Sequence, residues 1–175
     1  HPALREQGRR LTARLQSLGC EVRSFQDAML HDPRHVLTQG RQPYTVFTPY
    51  KRTALSYSVA PAKPAPEQIV TPAGIRTEDI PTSEYFQVRA TARTIPAGGE
   101  TQARILLDGF VADRLRRYGE GRDLPAVPGT SQLSPYLHFG CLSIREAFHQ
   151  ANRLLREASL DTTARTSVET WISEL

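Results

Sequence analysis

The sequence has 175 residues, which is enough for one compact domain or two small ones. Its 22 basic and 18 acidic residues give a net charge of +4, a balance that is compatible with a phosphate-bearing partner but does not identify one. Two cysteines far apart in sequence exclude a disulfide-rich secreted scaffold, and no apolar run approaches the length of about 20 residues that a membrane-spanning helix needs. We therefore expect a cytoplasmic protein with reduced thiols.

The first 56 residues are predicted to form a helix, a strand and a loop. Leucines at helical spacing predict a helix over residues 2–18, with Gly19 as a left-handed stop: Leu4, Leu11, Leu15 and Leu18. Residues 20–25 (CEVRSF) alternate in polarity, which predicts a short strand, and Gln39-Gly40 marks a turn. Helix, strand and loop in this order are typical of the end of an α/β unit.

Residues 57–97 differ in composition from both flanking segments. They are rich in Pro and Ala and show no sustained hydrophobic period. We interpret them as an extended linker that lies along a surface, because so long a structureless segment is unusual inside a compact domain.

The last part of the chain is predicted to be helical. Apolar residues form a stripe over the first helix, which is expected to end at Gly119: Ala103, Leu106, Leu107, Phe110, Val111 and Leu115. A second helix is expected to begin after Ser134 as N-cap, with Pro135 in its first turn. A third begins at Ser143, where Glu146 has capping-box spacing, and a fourth begins near Thr166–Glu169.

The segment before the second helix is a candidate anion site. Helix starts leave backbone N–H groups free to bind phosphate, and Thr130 and Ser131 add hydroxyls just upstream of Ser134. Tyr118, near the end of the preceding helix, could fold over the same place. Residue types alone favour the alternative, in which Thr130 and Ser131 form a turn and Ser134 only caps the helix.

Three further residues are candidates for nucleic-acid contact. Arg122 is followed by Asp123, a pair that forms either a local turn clamp or a site for a nucleic-acid phosphate. Trp171 and Glu174 share a helix face, which suits stacking on a base and hydrogen bonding to its edge. An ordinary buried Trp beside a surface Glu is the favoured alternative on residue types alone. The histidines are scattered, without metal-ligand spacing.

Four segments, in this order and spacing, resemble the DNA photolyase/cryptochrome family: YTVFTPYKR (44–52), PAGGETQA (96–103), YGEGRDLPAVPGTSQLSPYLHFGCLSIRE (118–146) and WISEL (171–175). The third segment is highly specific for the family. The resemblance covers most of the chain and is weakest over residues 57–95.

The resemblance implies a fold and a domain organisation. Residues 1–56 correspond to an α/β remnant, the end of a Rossmann-like antenna domain; residues 57–97 correspond to an inter-domain linker, and residues 98–175 to the first helices of an all-α FAD-binding domain. Family members hold FAD in the helical domain, and many hold an antenna chromophore of folate or flavin type, near which Lys51 would lie. We therefore expect an internal fragment that is inactive alone, from a protein that is monomeric at full length.

The resemblance also implies roles for individual residues. The residues expected to contact FAD, with hydroxyls and N–H groups binding its diphosphate, are Tyr118, Thr130, Ser131, Leu133, Ser134 and Trp171. Arg122 matches a contact to DNA phosphate. Glu174 matches the residue that hydrogen-bonds the flipped dimer, and Trp171 flanks flavin and lesion, so these two are the expected catalytic residues.

The function implied by the resemblance is light-driven repair of cyclobutane pyrimidine dimers in UV-damaged DNA, by electron transfer from reduced FAD. The alternatives are a cryptochrome-like blue-light sensor without repair activity and an inactive remnant. Glu174 and Trp171 favour the repair enzyme over the sensor.

Overall fold

The computed structural model describes residues 2–25, 29–71, 73–74, 76–82, 84–87 and 96–175. Within these ranges the regular elements are helices, and the β pairing consists of one isolated antiparallel bridge between Leu37 and Pro43. None of the helices in these ranges has the length and hydropathy needed to cross a lipid bilayer.

The first helix, α1 (Pro2–Ser17), confirms the prediction made from leucine spacing. It stops where expected: Gly19 has φ +78°, a conformation that glycine adopts without steric cost, and the N–H of Cys20 donates to Leu15 O at 3.0 Å. Three leucines of its stripe, Leu4, Leu11 and Leu18, are exposed and each keeps more than half of its surface, whereas Leu15 is half-buried.

The strand predicted over residues 20–25 is wrong. These residues have no regular structure, because a strand needs a neighbour for its ladder hydrogen bonds and no segment pairs with them among the described residues. The turn at Gln39-Gly40 is confirmed, with Arg41 at φ +56° and the N–H of Thr38 donating to Gln42 O at 2.9 Å. A helix that the sequence analysis did not predict, α2, spans Phe47–Ser56.

The described residues between 57 and 97 contain no helix and no strand, as predicted for the linker. Part of that prediction falls on residues 72, 75, 83 and 88–95, which lie outside the described residues. Two contacts attach this segment to the helices: the hydroxyl of Tyr136 donates to Ala97 O at 2.6 Å, and His149 Nε2 lies 3.2 Å from Ala60 O. The domain boundaries themselves stay a prediction.

The helix predicted to end at Gly119 continues beyond it and changes pitch. Helix α3 (Glu100–Gly109) passes into a π-helical turn (Phe110–Arg114) and a 3₁₀ turn (Leu115–Arg117). Helix α4 (Tyr118–Gly121) follows directly. The π turn is defined by the N–H of Leu115, which donates to Phe110 O five residues back. The wider turn lets these two side chains both face the core, where each is fully buried.

The helix expected after Ser134 begins one residue earlier than predicted. Helix α5 spans Ser134–His138, and its N-cap is Leu133, so the prediction that Ser134 is the N-cap is wrong. Leu133 already has helical φ −86° and ψ −8°, and its carbonyl accepts from Leu137 N at 2.9 Å, which makes Ser134 the first helical residue.

Helix α6 spans Ile144–Leu154 and is capped by Ser143, as predicted, through a bond from the N–H of Arg145 at 3.3 Å. The reciprocal half of the predicted capping box is not formed among the described residues, because the Glu146 side chain pairs instead with Arg104 Nε at 3.2 Å. Helix α7 spans Thr162–Ile172 and begins earlier than predicted, because Asp161 caps it by accepting from the N–H of Ala164 at 2.8 Å.

The core lies between α3 with its continuation, α6 and α7. Gly119 in α4 donates its N–H to the buried hydroxyl of Ser167 in α7 at 3.1 Å, which joins these two elements. The buried core residues are Ala103, Leu107, Phe110, Leu115, Tyr118, Leu133, Tyr136, Leu142, Ala147, Ala151, Leu154, Val168, Trp171 and Ile172.

Candidate functional site

The loop from residue 122 to residue 133 is folded back on the end of α4. Consecutive turns close it: Leu124 N donates to Gly121 O at 3.2 Å, and Gly129 N donates to Val127 O at 2.7 Å. At the crossing, a Cβ built on Gly129 would lie 2.3 Å from the carbonyl carbon and oxygen of Gly121. Only glycine fits this close approach of two backbones, and the crossing places the residues that follow it.

The segment after the crossing carries three hydroxyl groups, those of Thr130, Ser131 and Ser134. Thr130 and Ser134 are exposed, Ser131 is half-buried, and Leu133 is 1% exposed and fixes the segment to the core. The hydroxyl oxygen of Ser131 accepts a long hydrogen bond of 3.5 Å from the N–H of Leu133, which leaves the hydroxyl proton of Ser131 available to a ligand.

The backbone changes from a left-handed conformation at Gln132 to a right-handed one at Leu133. Gln132 has φ +57°, and Leu133 is right-handed. Left-handed and right-handed residues in succession turn consecutive N–H groups toward one concavity, a nest of the kind that binds anions. The middle N–H of this nest, that of Leu133, makes the long bond to Ser131 Oγ, so an anion would have to share or replace that bond. No pattern in the sequence points to Gln132, because Gln is not a residue type that predicts a positive φ.

A cluster of three aromatic rings lies beneath this region. The Phe110 ring centroid is 5.9 Å from that of Tyr118 and 5.2 Å from that of Trp171. Trp171 is 4% exposed, so it has the packing role that residue types alone favoured. Its expected roles in flavin binding and catalysis stay a prediction.

An ionic cluster joins three of the predicted site residues. The carboxylate of Glu174 accepts from the Tyr118 hydroxyl through Oε2 and from Arg122 Nη1 through Oε1. The guanidinium carbon of Arg122 lies 5.5 Å from the centroid of the Tyr118 ring, and Arg122 also contacts Asp123 at 3.4 Å. The sequence predicts separate contacts for Arg122 and Glu174, whereas the fold pairs them across 52 positions of sequence.

The same cluster shifts two ionisation equilibria. Burial, and next the hydrogen bond to Glu174, raise the pKa of Tyr118 to about 12, so its hydroxyl stays protonated as a donor. The negative charge of Glu174 raises the pKa of the Arg122 guanidinium above its ordinary value. Both shifts favour the protonated donors that hold the carboxylate.

Glu174 also borders a cleft of about 530 Å³ between α2 and the end of α7. Lys51, Tyr50 and Leu55 line it on the α2 side, and Ile172 lines it on the α7 side. Lys51 therefore lies in the same cleft as Glu174, which sequence separation gave no reason to expect.

The chain is similar to known proteins over nearly its whole length. A family model described as DNA photolyase matches residues 1–68. A deoxyribodipyrimidine photo-lyase of Agrobacterium fabrum is 35% identical over 167 residues, which is 89% of this chain and 34% of that protein. A 31.6 kDa protein of Synechococcus, described as uncharacterized and encoded in the atpI 5′ region, is 37% identical over 177 residues, covering 99% of this chain and 62% of that protein.

A solved structure has a similar fold. The crystal structure of a bacterial class III photolyase from Agrobacterium tumefaciens superposes with a TM-score of 0.79 at 29% identity, over 95% of this chain and 36% of that one. The chain thus spans about a third of the length of the photolyases that it matches.

Proposed function

Because the chain belongs to the DNA photolyase family, we propose that it is the part of a light-driven, FAD-dependent repair enzyme for pyrimidine dimers that binds the FAD diphosphate and borders the lesion pocket. We propose this activity for the whole natural polypeptide that contains these residues. We place it in the cytoplasm, for which its two free thiols, Cys20 and Cys141, are suited.

The observation that carries the proposal is the donor segment from Thr130 to Ser134. Its hydroxyls and the nest at Gln132 and Leu133 offer several donors and no charged acceptor, which is the chemistry that a diphosphate requires. FAD would supply absorption of light and donation of an electron to the dimer. The residues of this chain would bind the FAD diphosphate, and Tyr118 would form the wall of the site next to the aromatic cluster.

On the DNA side, Arg122 would contact a backbone phosphate, and Glu174 would accept hydrogen bonds from the flipped dimer. The two side chains are paired with each other, so each role requires the pair to separate or to rearrange. Both are partly exposed, with 33% and 40% of their side-chain surface open to solvent, so a ligand can reach them.

The cofactor role is tested by titrating the full-length apoprotein with FAD. We expect Thr130→Ala and Ser131→Ala each to weaken binding about tenfold or more, since a hydrogen bond to a charged group contributes roughly 1.5–3 kcal/mol. Ser159→Ala is the matched control, because Ser159 is exposed in a turn away from this segment. Equal FAD affinity in all four proteins would exclude the diphosphate role.

The DNA role is tested with dimer-containing and intact duplexes at two salt concentrations. Arg122→Ala should weaken binding to both and reduce the salt slope by about one phosphate contact, whereas Arg156→Ala removes an exposed charge elsewhere as the control.

Glu174→Gln should lower the ratio of damaged to intact affinity. It should also leave intact-duplex binding equal to or tighter than that of the parent, because Arg122 no longer has to leave an ion pair. An unchanged damaged-to-intact ratio would remove the lesion role from Glu174 and favour a light sensor without repair.

A further inference from the structure

Arg114 joins the donor segment to the aromatic cluster, although no motif in the sequence marks it. It is the last residue of the π turn and is half-buried. Its guanidinium carbon lies 5.5 Å from the centroid of the Phe110 ring, which is fully buried. One side of the guanidinium group is therefore held by a cation–π contact to the core.

The other side of the group binds the loop. Nη1 of Arg114 donates to Pro128 O and to Thr130 O, each at 3.2 Å. These carbonyls lie on either side of Gly129, the residue at the backbone crossing. One guanidinium thus holds the two peptide groups on either side of the backbone crossing at Gly129.

The consequence for an anion follows from peptide geometry. In a trans peptide the C=O and the following N–H point in opposite directions, and no cis peptide occurs among the described residues. Because Thr130 O faces Arg114, the N–H of Ser131, which belongs to the same trans peptide, points the opposite way, away from Arg114. The carbonyl oxygens, which would repel a phosphate, are occupied by the cation.

We infer that Arg114 is a positioning residue for the diphosphate site: it turns the carbonyls of Pro128 and Thr130 away from the ligand and so orients the N–H of Ser131 and the adjoining nest toward it. The inference rests on the proposed function for the identity of the ligand. The orientation of the loop by Arg114 is independent of that identity.

Arg117 provides a matched control. It lies one turn further along the same helical segment and lines the same groove of about 320 Å³, together with Arg114 and Gly129. Its side chain is exposed and makes no hydrogen bond or ion pair with the described residues. Removing its side chain takes one positive charge from the same groove and leaves the hydrogen bonds of Arg114 to the loop carbonyls in place.

The experiment compares four full-length proteins: the parent, Arg114→Met, Arg114→Lys and Arg117→Ala. Met keeps an unbranched stem against Phe110 and removes the donors, whereas Lys keeps a charged donor. Two quantities are measured: FAD affinity by titration, and hydrogen exchange of the backbone amides of residues 126–133 without FAD, by mass spectrometry.

We expect Arg114→Met to weaken FAD binding about tenfold, Arg114→Lys to lie between it and the parent, and Arg117→Ala to stay within about twofold of the parent. Amides of the loop should exchange faster in Arg114→Met, while those of α6 and α7 are unchanged. Parent-like FAD affinity in Arg114→Met, or a loss of the same size in Arg117→Ala, would overturn the inference.

The two proposals fail separately. If the parent itself does not bind FAD, the proposed function is wrong, and the exchange rates alone then decide the role of Arg114. Faster loop exchange in Arg114→Met supports that role, and unchanged exchange overturns it.

Discussion

Replacing Gly129 with Ala tests the backbone crossing on which the donor segment depends. The added Cβ would lie 2.3 Å from two atoms of Gly121 and 2.8 Å from its Cα. Carbon atoms in contact keep about 3.5–4.0 Å apart, so the two backbones must separate by roughly an ångström. No side-chain rotation can relieve the overlap, because each atom in the way belongs to the main chain.

The expected cost is at the upper end of what overpacking causes. Inserting a carbon into a filled site destabilises by about 1–3 kcal/mol, and the reduced entropy of the unfolded chain returns about 0.4–1 kcal/mol. We expect a net loss of about 2 kcal/mol in the free energy of unfolding. Separation of the backbones also moves Thr130 and Ser131, so FAD affinity should fall in the same variant.

The free energy of unfolding is measured by urea titration of the full-length protein, and variants are compared only where their m-values agree. Two other glycines serve as reference substitutions. A Cβ on Gly109 meets nothing within 4 Å in a helical backbone, so Gly109→Ala should stabilise by about 0.5–1 kcal/mol. A Cβ on Gly121 would lie 3.1 Å from Gly129 Cα, which predicts a cost between the other two. A Gly129→Ala protein as stable as the parent would refute the close crossing and the argument built on it.

Three further predictions concern stability. The pKa of Tyr118 is raised from 10.0 to about 12, so between these pH values the folded state keeps a proton that the unfolded state loses. The stabilisation is complete below about pH 10 and disappears as the pH rises to about 12. The free energy of unfolding, measured with urea, should therefore fall more steeply across this window in the parent than in Tyr118→Phe. Asp161→Ala removes the cap of α7 and should cost about 1 kcal/mol, whereas Asp113→Ala, at an exposed position, should change unfolding by less than about 0.5 kcal/mol. Phe110→Ala should lower the free energy of unfolding by about 3–5 kcal/mol, measured by calorimetry or urea unfolding, because it empties a fully buried site. A loss below about 1 kcal/mol would contradict the core as described.

Local patterns in the sequence were sufficient where a helix is determined by neighbouring residues. The stop at Gly19 and the cap at Ser143 were predicted correctly, because each depends on backbone groups within a few positions. The apolar stripe of α3 also predicted which side is buried. The strand over residues 20–25 was not predictable in this way, since alternation describes a segment that can pair and not whether a partner is present.

The pitch change after Gly109 was decided by tertiary packing. A regular helix would have rotated Leu115 relative to Phe110, whereas the π turn keeps both in the core. Gly119 looked like a helix end, but the hydrogen bond of its N–H to Ser167 stabilises a further helical turn. This bond joins residues 48 positions apart, and no local pattern contains it.

The sequence by itself determined which residue types are available at the candidate site, and its motifs determined the family. Tertiary structure alone decided that Glu174 binds both Tyr118 and Arg122, and that Arg114 binds the carbonyls on either side of Gly129. The physical reason is that charge pairing and close backbone approach depend on distance in space. Those distances are set by the burial of Phe110 and Trp171 between helices that are far apart in the chain.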